Sequence, residues 1–261
     1  MVRLRSASLS FGERVLWQNL DLDIRKGEFF AVLGPNGSGK TSLLKVLLGL
    51  QQLDSGSATV NGAAVRRGSR EIGYIPQQKS FPPETPLRAR DLVGLGVDGH
   101  RWGVRWKGRE YNSVVDALLE KVGASAYADA PVGRLSGGEQ QRLRAAQALA
   151  TNPQVLLCDE PLLSLDLHHQ QAVSGLINSQ CRDNESAVVF VTHEINPIID
   201  YVDRVLYLAG GQFRVGPTHE VMTSEVLSEL YSSNVEVLHS KGRIIVVGLP
   251  DDTTHHHAEG H

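Results

Sequence analysis

Residues 34–41 read Gly34-Pro35-Asn36-Gly37-Ser38-Gly39-Lys40-Thr41, a fit to G-x-x-x-x-G-K-[ST] set between an apolar run and a helical pattern. Phe29, Phe30, Ala31, Val32 and Leu33 precede it, the composition of a strand buried on both faces. After it, Leu43, Leu44, Leu47 and Leu48 are spaced to line one face of a helix that Gly49 can stop. A loop that joins a buried strand to a helix start, in a chain that alternates strand-like and helix-like segments, favours an α/β arrangement. The first turn there has unpaired backbone N–H groups and the positive end of the helix dipole, and the glycines let the backbone curl around phosphate oxygens. Lys40 is expected to reach the β- and γ-phosphates, the Thr41 hydroxyl to ligate Mg2+, and Ser42 to extend the nucleotide-binding run.

A chain of 261 residues can bury a sizeable core. Lys plus Arg number 26 against 29 Asp plus Glu, a formal net charge of -3, so no general attraction to nucleic acid is expected. No apolar run approaches the roughly 18 residues that cross a bilayer, and the N-terminus lacks the zones of a signal peptide, so a cytosolic chain is expected. Cys158 and Cys181 lack C-x-x-C spacing and read as ordinary thiols.

Residues 2–33 alternate short apolar segments with turns, which suits β-structure, and 57–60 followed by Asn61-Gly62 signals a hairpin. From about 85 to 152 the pattern turns helical, notably at 113–122 and 140–150, with 94–108 read as an exposed loop because of its Gly, Arg and Trp content. Strand patterns return at 155–158 and 187–192, and 235–247 reads as two short strands around residues 239–242.

The strand at 155–158 runs into Asp159 and Glu160. Ligands bind at strand ends in α/β sheets, so Asp159 is suited to hold Mg2+ through water and Glu160 to orient and polarise an attacking water. Leu135-Ser136-Gly137-Gly138-Glu139-Gln140-Gln141-Arg142 places Ser-Gly-Gly before a second helix, another N-terminus prepared for an anion. These three motifs, in this order and in a cassette of this size, resemble the ATP-binding subunit of ATP-binding cassette (ABC) transporters over roughly residues 2–220.

The resemblance implies a P-loop NTPase core of α/β class with an N-terminal antiparallel β subdomain and an inserted α-helical signature subdomain. The ATPase domain is expected over 1–220, its helical subdomain at about 85–152, a short C-terminal extension at 221–250 and a His-rich tail at 251–261. It implies ATP hydrolysis with Mg2+. Phe11 falls where the family has an aromatic that stacks on adenine, Gln77 matches the glutamine that links Mg2+ and the attacking water to the transport partner, and His193 matches the histidine that contacts the γ-phosphate and the catalytic glutamate. The family places Ser136, Gly137 and Gly138 of one copy across from the phosphate loop of a second, so two ATP molecules lie between head-to-tail copies. The chain departs from the family after Pro161: Leu162-Leu163-Ser164-Leu165-Asp166 keeps Asp166, also expected at the nucleotide interface, but puts Leu163 where a hydroxyl is usual.

The resemblance also implies an integral membrane permease, with 81–106 as its docking region, an extracytoplasmic metal-binding protein as an indirect partner, and a peripheral place on the cytoplasmic face of the membrane. The carboxylates and imidazoles of the tail, with Asp251, Asp252, His255, His256, His257, Glu259 and His261, are ligands favoured by Zn2+ and related ions. The compact size and the segment from Val235-Glu236-Val237-Leu238 to Val246-Val247-Gly248 resemble the manganese, zinc and iron importer ATPases, so the expected cargo is a divalent metal, zinc or manganese. The alternatives are an importer of siderophore, haem or cobalamin, and a non-transport cassette such as an iron-sulfur assembly ATPase.

Overall fold

The computed structural model describes residues 1–77, 80–99 and 108–248. The His-rich tail and residues 100–107 lie outside them, and with them most of the Gly-, Arg- and Trp-bearing stretch. In chain order the strands and helices are β1 (Val2–Phe11), β2 (Arg14–Ile24), β3 (Phe29–Leu33), α1 (Lys40–Leu47), β4 (Ser55–Val60), β5 (Ala63–Ala64), β6 (Ile72–Ile75), α2 (Ala89–Asp98), α3 (Arg109–Lys121), α4 (Gly137–Leu149), β7 (Val155–Asp159), α5 (Leu167–Asp183), β8 (Ala187–Val191), β9 (Arg204–Ala209), β10 (Gln212–Gly216), α6 (Thr218–Val221), α7 (Ser224–Tyr231), β11 (Val235–Ser240) and β12 (Arg243–Gly248).

The central sheet has the order β10-β9-β3-β8-β7-β6, with every pair parallel except β9 and β10. Its inner strands are apolar apart from Arg204 at the start of β9 and Asp159 at the end of β7, because both faces are covered. Phe29, Ala31 and Leu33 of β3 pack with α4, α5 and the C-terminal helices, whereas Phe30 and Val32 point the other way, toward α1 and the N-terminal sheet β2-β1-β4-β5. Because β3, β8 and β7 are parallel neighbours, the segments that follow them emerge at one edge. That edge carries the chemistry discussed below.

Helices α2, α3 and α4 share a separate core that includes Leu92, Val93, Val115, Leu119 and Leu143. Helix α4 serves two cores, since its Ala145 and Leu149 belong to the central one. Here the sequence reading of 94–108 as an exposed loop is corrected: Gly94 to Asp98 continue α2, and Gly94 is buried. The glycines do not break the helix because they are where it is approached most closely. A Cβ at Gly94 would run into the Tyr111 hydroxyl of α3, and one at Gly96 into the Gln147 carbonyl of α4. The gain in packing outweighs the intrinsic cost of glycine in a helix, about 1 kcal/mol each.

Past α7 the chain closes with the hairpin β11-β12, held against the central body by Asn196. Its side-chain amide donates to the Ile244 carbonyl (2.9 Å) and accepts from the Ile244 N–H (2.8 Å), mimicking a neighbouring strand. Cys158 and Cys181 are buried free thiols, as the sequence implied.

At the end of β3, Gly34 takes φ 139°, and a Cβ there would collide with the Leu208 carbonyl of β9. Backbone meets backbone, so neither side can yield cheaply. Gly34→Ala is expected to lower stability by about 1–3 kcal/mol, hence the Tm by about 2–10 °C. Gly175→Ala, where φ is ordinary and the added carbon meets open space, serves as the control in thermal unfolding.

Candidate functional site

The loop from Gly34 to Gly39 folds over the N-terminus of α1. Lys40 turns back beneath it, its ammonium donating to the carbonyls of Gly34 (2.7 Å) and Pro35 (2.9 Å). Burial draws the Lys40 pKa below the usual lysine value, while the negative charges of Glu160 and Asp159 pull the other way. Gly39 has φ 100° and sits on Trp17 of β2; a Cβ would strike the indole ring. The buried Ser38 hydroxyl has no protein hydrogen-bond partner. A loop that buries a cation and an unpartnered hydroxyl, and leaves no room for a Cβ at Gly34 or Gly39, fits the phosphates of a nucleotide.

A cleft of about 360 Å³ opens over this loop, lined by Phe11, Asn36, Gly37, Lys40, Thr41 and Ser42, with Arg14, Gln77 and Glu160 around them. Phe11 ends β1 with 78% of its surface exposed, so it is not a core residue and its ring face is free to stack on a base. Gln77, past β6, is exposed and faces the same cleft.

Thr41 and Asp159 meet on the inner wall. The Thr41 hydroxyl donates to the Asp159 carboxylate at 3.0 Å, and Tyr74 donates to its other oxygen at 3.4 Å. Burial raises the Asp159 pKa, and the two hydroxyl donors partly restore it; Tyr74 itself is pushed up to about 12, first by burial and then by the Asp159 charge. Two hard oxygen donors this close suit a small divalent cation such as Mg2+.

Directly after Asp159, Glu160 adopts φ 45°, a left-handed conformation unusual for a side-chain-bearing residue, secured by its N–H donating to the Val191 carbonyl of β8 (3.0 Å). The turn swings its carboxylate between the main cleft and a smaller one of about 140 Å³ lined by Leu163, Ser164 and His193. His193, after β8, brings Nδ1 to 3.4 Å from that carboxylate. An acid and an imidazole beside a phosphate cradle are equipped to orient a water and pass on its proton.

Ser136, Gly137 and Gly138 do not line this cleft. They start α4, where Ser136 and Glu139 form a reciprocal capping box. Asp166 starts α5, accepting from the His169 N–H (2.9 Å), and the His169 ring lies against Gly138. Thus one group of expected residues surrounds the phosphate loop and the other forms a second cluster, in which Ser136 and Asp166 are exposed and Gly138 is covered by His169.

Sequence reasoning missed Arg14, Tyr74 and His169. Arg14 opens β2 three residues past Phe11, beside the loop, a signal available in principle; the other two depend on which strand and helix they meet. Replacing Phe11 by Ala is expected to raise KM for ATP by about 5–100-fold, the worth of one base stacked on an aromatic face, with kcat largely kept. Steady-state phosphate release checks it.

A family model described as ABC transporter matches residues 17–163. Over 249 residues the chain is 29% identical to the manganese transport system ATP-binding protein MntB of Halalkalibacterium halodurans, covering 95% of this chain and 99% of that protein. It is 30% identical over 238 residues to the iron(3+)-hydroxamate import ATP-binding protein FhuC of Bacillus subtilis, covering 88% and 87%. Among solved structures, a chain of an assembly assigned to the metal-chelate type of ABC transporter, in an inward-facing conformation, superposes with TM-score 0.80 at 28% identity over 96% of this chain and 98% of that one. A dimeric ATP-binding cassette in a post-hydrolysis state, bound to ADP and Pi, superposes with TM-score 0.71 at 28% identity over 83% and 98%.

Proposed function

The chain belongs to the ABC transporter family as an ATP-hydrolysing cassette, and from that premise we propose that it powers import of a divalent metal ion, zinc or manganese, through a membrane permease, paired head to tail with a second copy of itself. The observation that carries the cargo is the length of the match: similarity to the manganese protein runs over 95% of this chain and 99% of that one, so it spans the C-terminal hairpin as well as the cassette.

In the working site ATP lies with its base against Phe11 and its phosphates in the loop from Gly34 to Gly39, held by Lys40 and by Ser38. Thr41, Gln77 and, through water, Asp159 are the residues that would hold Mg2+, which when bound neutralises charge on the β- and γ-phosphates. Glu160 orients the attacking water and accepts its proton, while His193 steadies Glu160 and the γ-phosphate end. Ser136, Gly137 and Gly138 of the second copy close over the γ-phosphate, with Asp166 beside them. The exposed positions of Ser136 and Asp166, away from their own cleft, support this division of labour.

Coupling follows from the division. ATP bridges two copies, hydrolysis removes the bridge, and opening and closing is passed to the permease near Gln77 and the helical subdomain. No helix among the described residues is long and apolar enough to cross a membrane, in keeping with a peripheral subunit on the cytoplasmic face. An extracytoplasmic metal-binding protein would deliver the cargo.

Accumulation of 54Mn and 65Zn in a strain lacking this chain tests the reading. Wild type is expected to restore uptake of one of them and Glu160→Gln to fail. The similarity to the iron(3+)-hydroxamate protein supports a second reading, import of a ferric chelate; restored uptake of 55Fe-hydroxamate with unchanged zinc and manganese would establish it instead.

A further inference from the structure

Two imidazoles and a carboxylate converge where α5 begins, apart from the phosphate loop. Among the described residues, Asp166, His168 and His169 each offer one ligand atom within 4.8 Å of the other two. We propose that these three residues form a binding site for a transition-metal ion of the zinc class.

The geometry is partly set in advance. The ring of His169 rests on the bare backbone of Gly138 at the start of α4, where even a Cβ would overlap it. That seat turns Nδ1 toward Asp166, 2.9 Å from each carboxylate oxygen. Two donors bound about 2.0–2.2 Å from one tetrahedral zinc stand about 3.3 Å apart, so the pair need open only slightly to share an ion. His168 meets His169 edge to face at 5.6 Å between ring centroids and is exposed, free to turn the rest of the way.

The donor set also selects the ion. Imidazole suits zinc and its neighbours in the transition series, whereas magnesium takes oxygen and water. Three protein ligands leave a fourth position for water. The positive N-terminal end of α5 opposes any cation there, and the Asp166 carboxylate offsets it. Because the same Asp166 caps α5 and the same His169 ring covers Gly138, a bound ion would fix the ring on which the start of α4 rests. None of this depends on which cargo the transporter carries.

The rival ligands are the tail histidines, so the test removes them first in the full-length, nucleotide-free chain. With His255→Asn, His256→Asn, His257→Asn and His261→Asn in place, titration with zinc chloride against a chromogenic chelator is expected to find one equivalent per chain. Cobalt(II) in its stead should give the visible absorption of a tetrahedral site. Adding His168→Asn, at an exposed position that leaves the fold intact, should weaken zinc binding at least about tenfold, and millimolar magnesium should not displace the ion. Absence of that equivalent once the tail is substituted, affinity unchanged by His168→Asn, or displacement by magnesium would each overturn the proposal.

Discussion

Glu160→Gln is expected to slow ATP hydrolysis by about 10²–10⁴-fold, the usual worth of a positioned general base, while ATP binding stays near wild type. Glutamine matches the size of glutamate, so the left-handed turn at φ 45° and the N–H bond to Val191 persist. What disappears is the ability to take a proton. His193 does not replace it, because its imidazole lies on the far side of the carboxylate at 3.4 Å, in the smaller cleft. Phosphate release and fluorescent-nucleotide binding, measured on the same preparation, separate the two effects. A variant that turns over at more than about a tenth of the wild-type rate would assign the base to another group.

Lys40→Ala is expected to damage both binding and turnover. The Lys40 ammonium donates to the Gly34 and Pro35 carbonyls and so ties the loop closed while presenting its charge to the phosphates. Removing charge-assisted hydrogen bonds worth about 1.5–3 kcal/mol weakens ATP binding by about 10–150-fold. Loss of a fixed cation where charge develops lowers turnover by a further 10²–10³-fold or so. The contrast with Glu160→Gln is diagnostic. One variant binds without turning over, and the other does neither; nucleotide affinity near wild type in Lys40→Ala would place the phosphates elsewhere.

Much of this site was legible from local pattern, because its parts are local. The apolar run of β3, the glycines after it and the helix that follows are contiguous, and the physics of a phosphate cradle acts over those same residues. Asp159 and Glu160 could be read because an apolar strand ending in acids has few other uses beside such a loop. Meetings between distant segments were harder. That Thr41 touches Asp159 follows only from the strand order β3-β8-β7, and that Tyr74 donates to Asp159 follows from β6 lying next to β7. Gly94 and Gly96 misled because glycine carries the same letter whether it breaks a helix or lets one be approached; Tyr111 and Gln147 decide which. The contact of His169 with Gly138 likewise belongs to the tertiary structure.

Separation of the two clusters implies that neither copy holds a complete site. The phosphate cleft has its base and its cation, whereas Ser136 and Asp166 stand exposed, away from it. The most direct measurement is the mass of the Glu160→Gln protein by sedimentation equilibrium with saturating ATP and Mg2+, with nucleotide content determined on the same sample. A dimer of this chain that holds two ATP and falls apart to monomers with ADP is expected. A monomer saturated with ATP, at concentrations where wild type hydrolyses it, would contradict the claim.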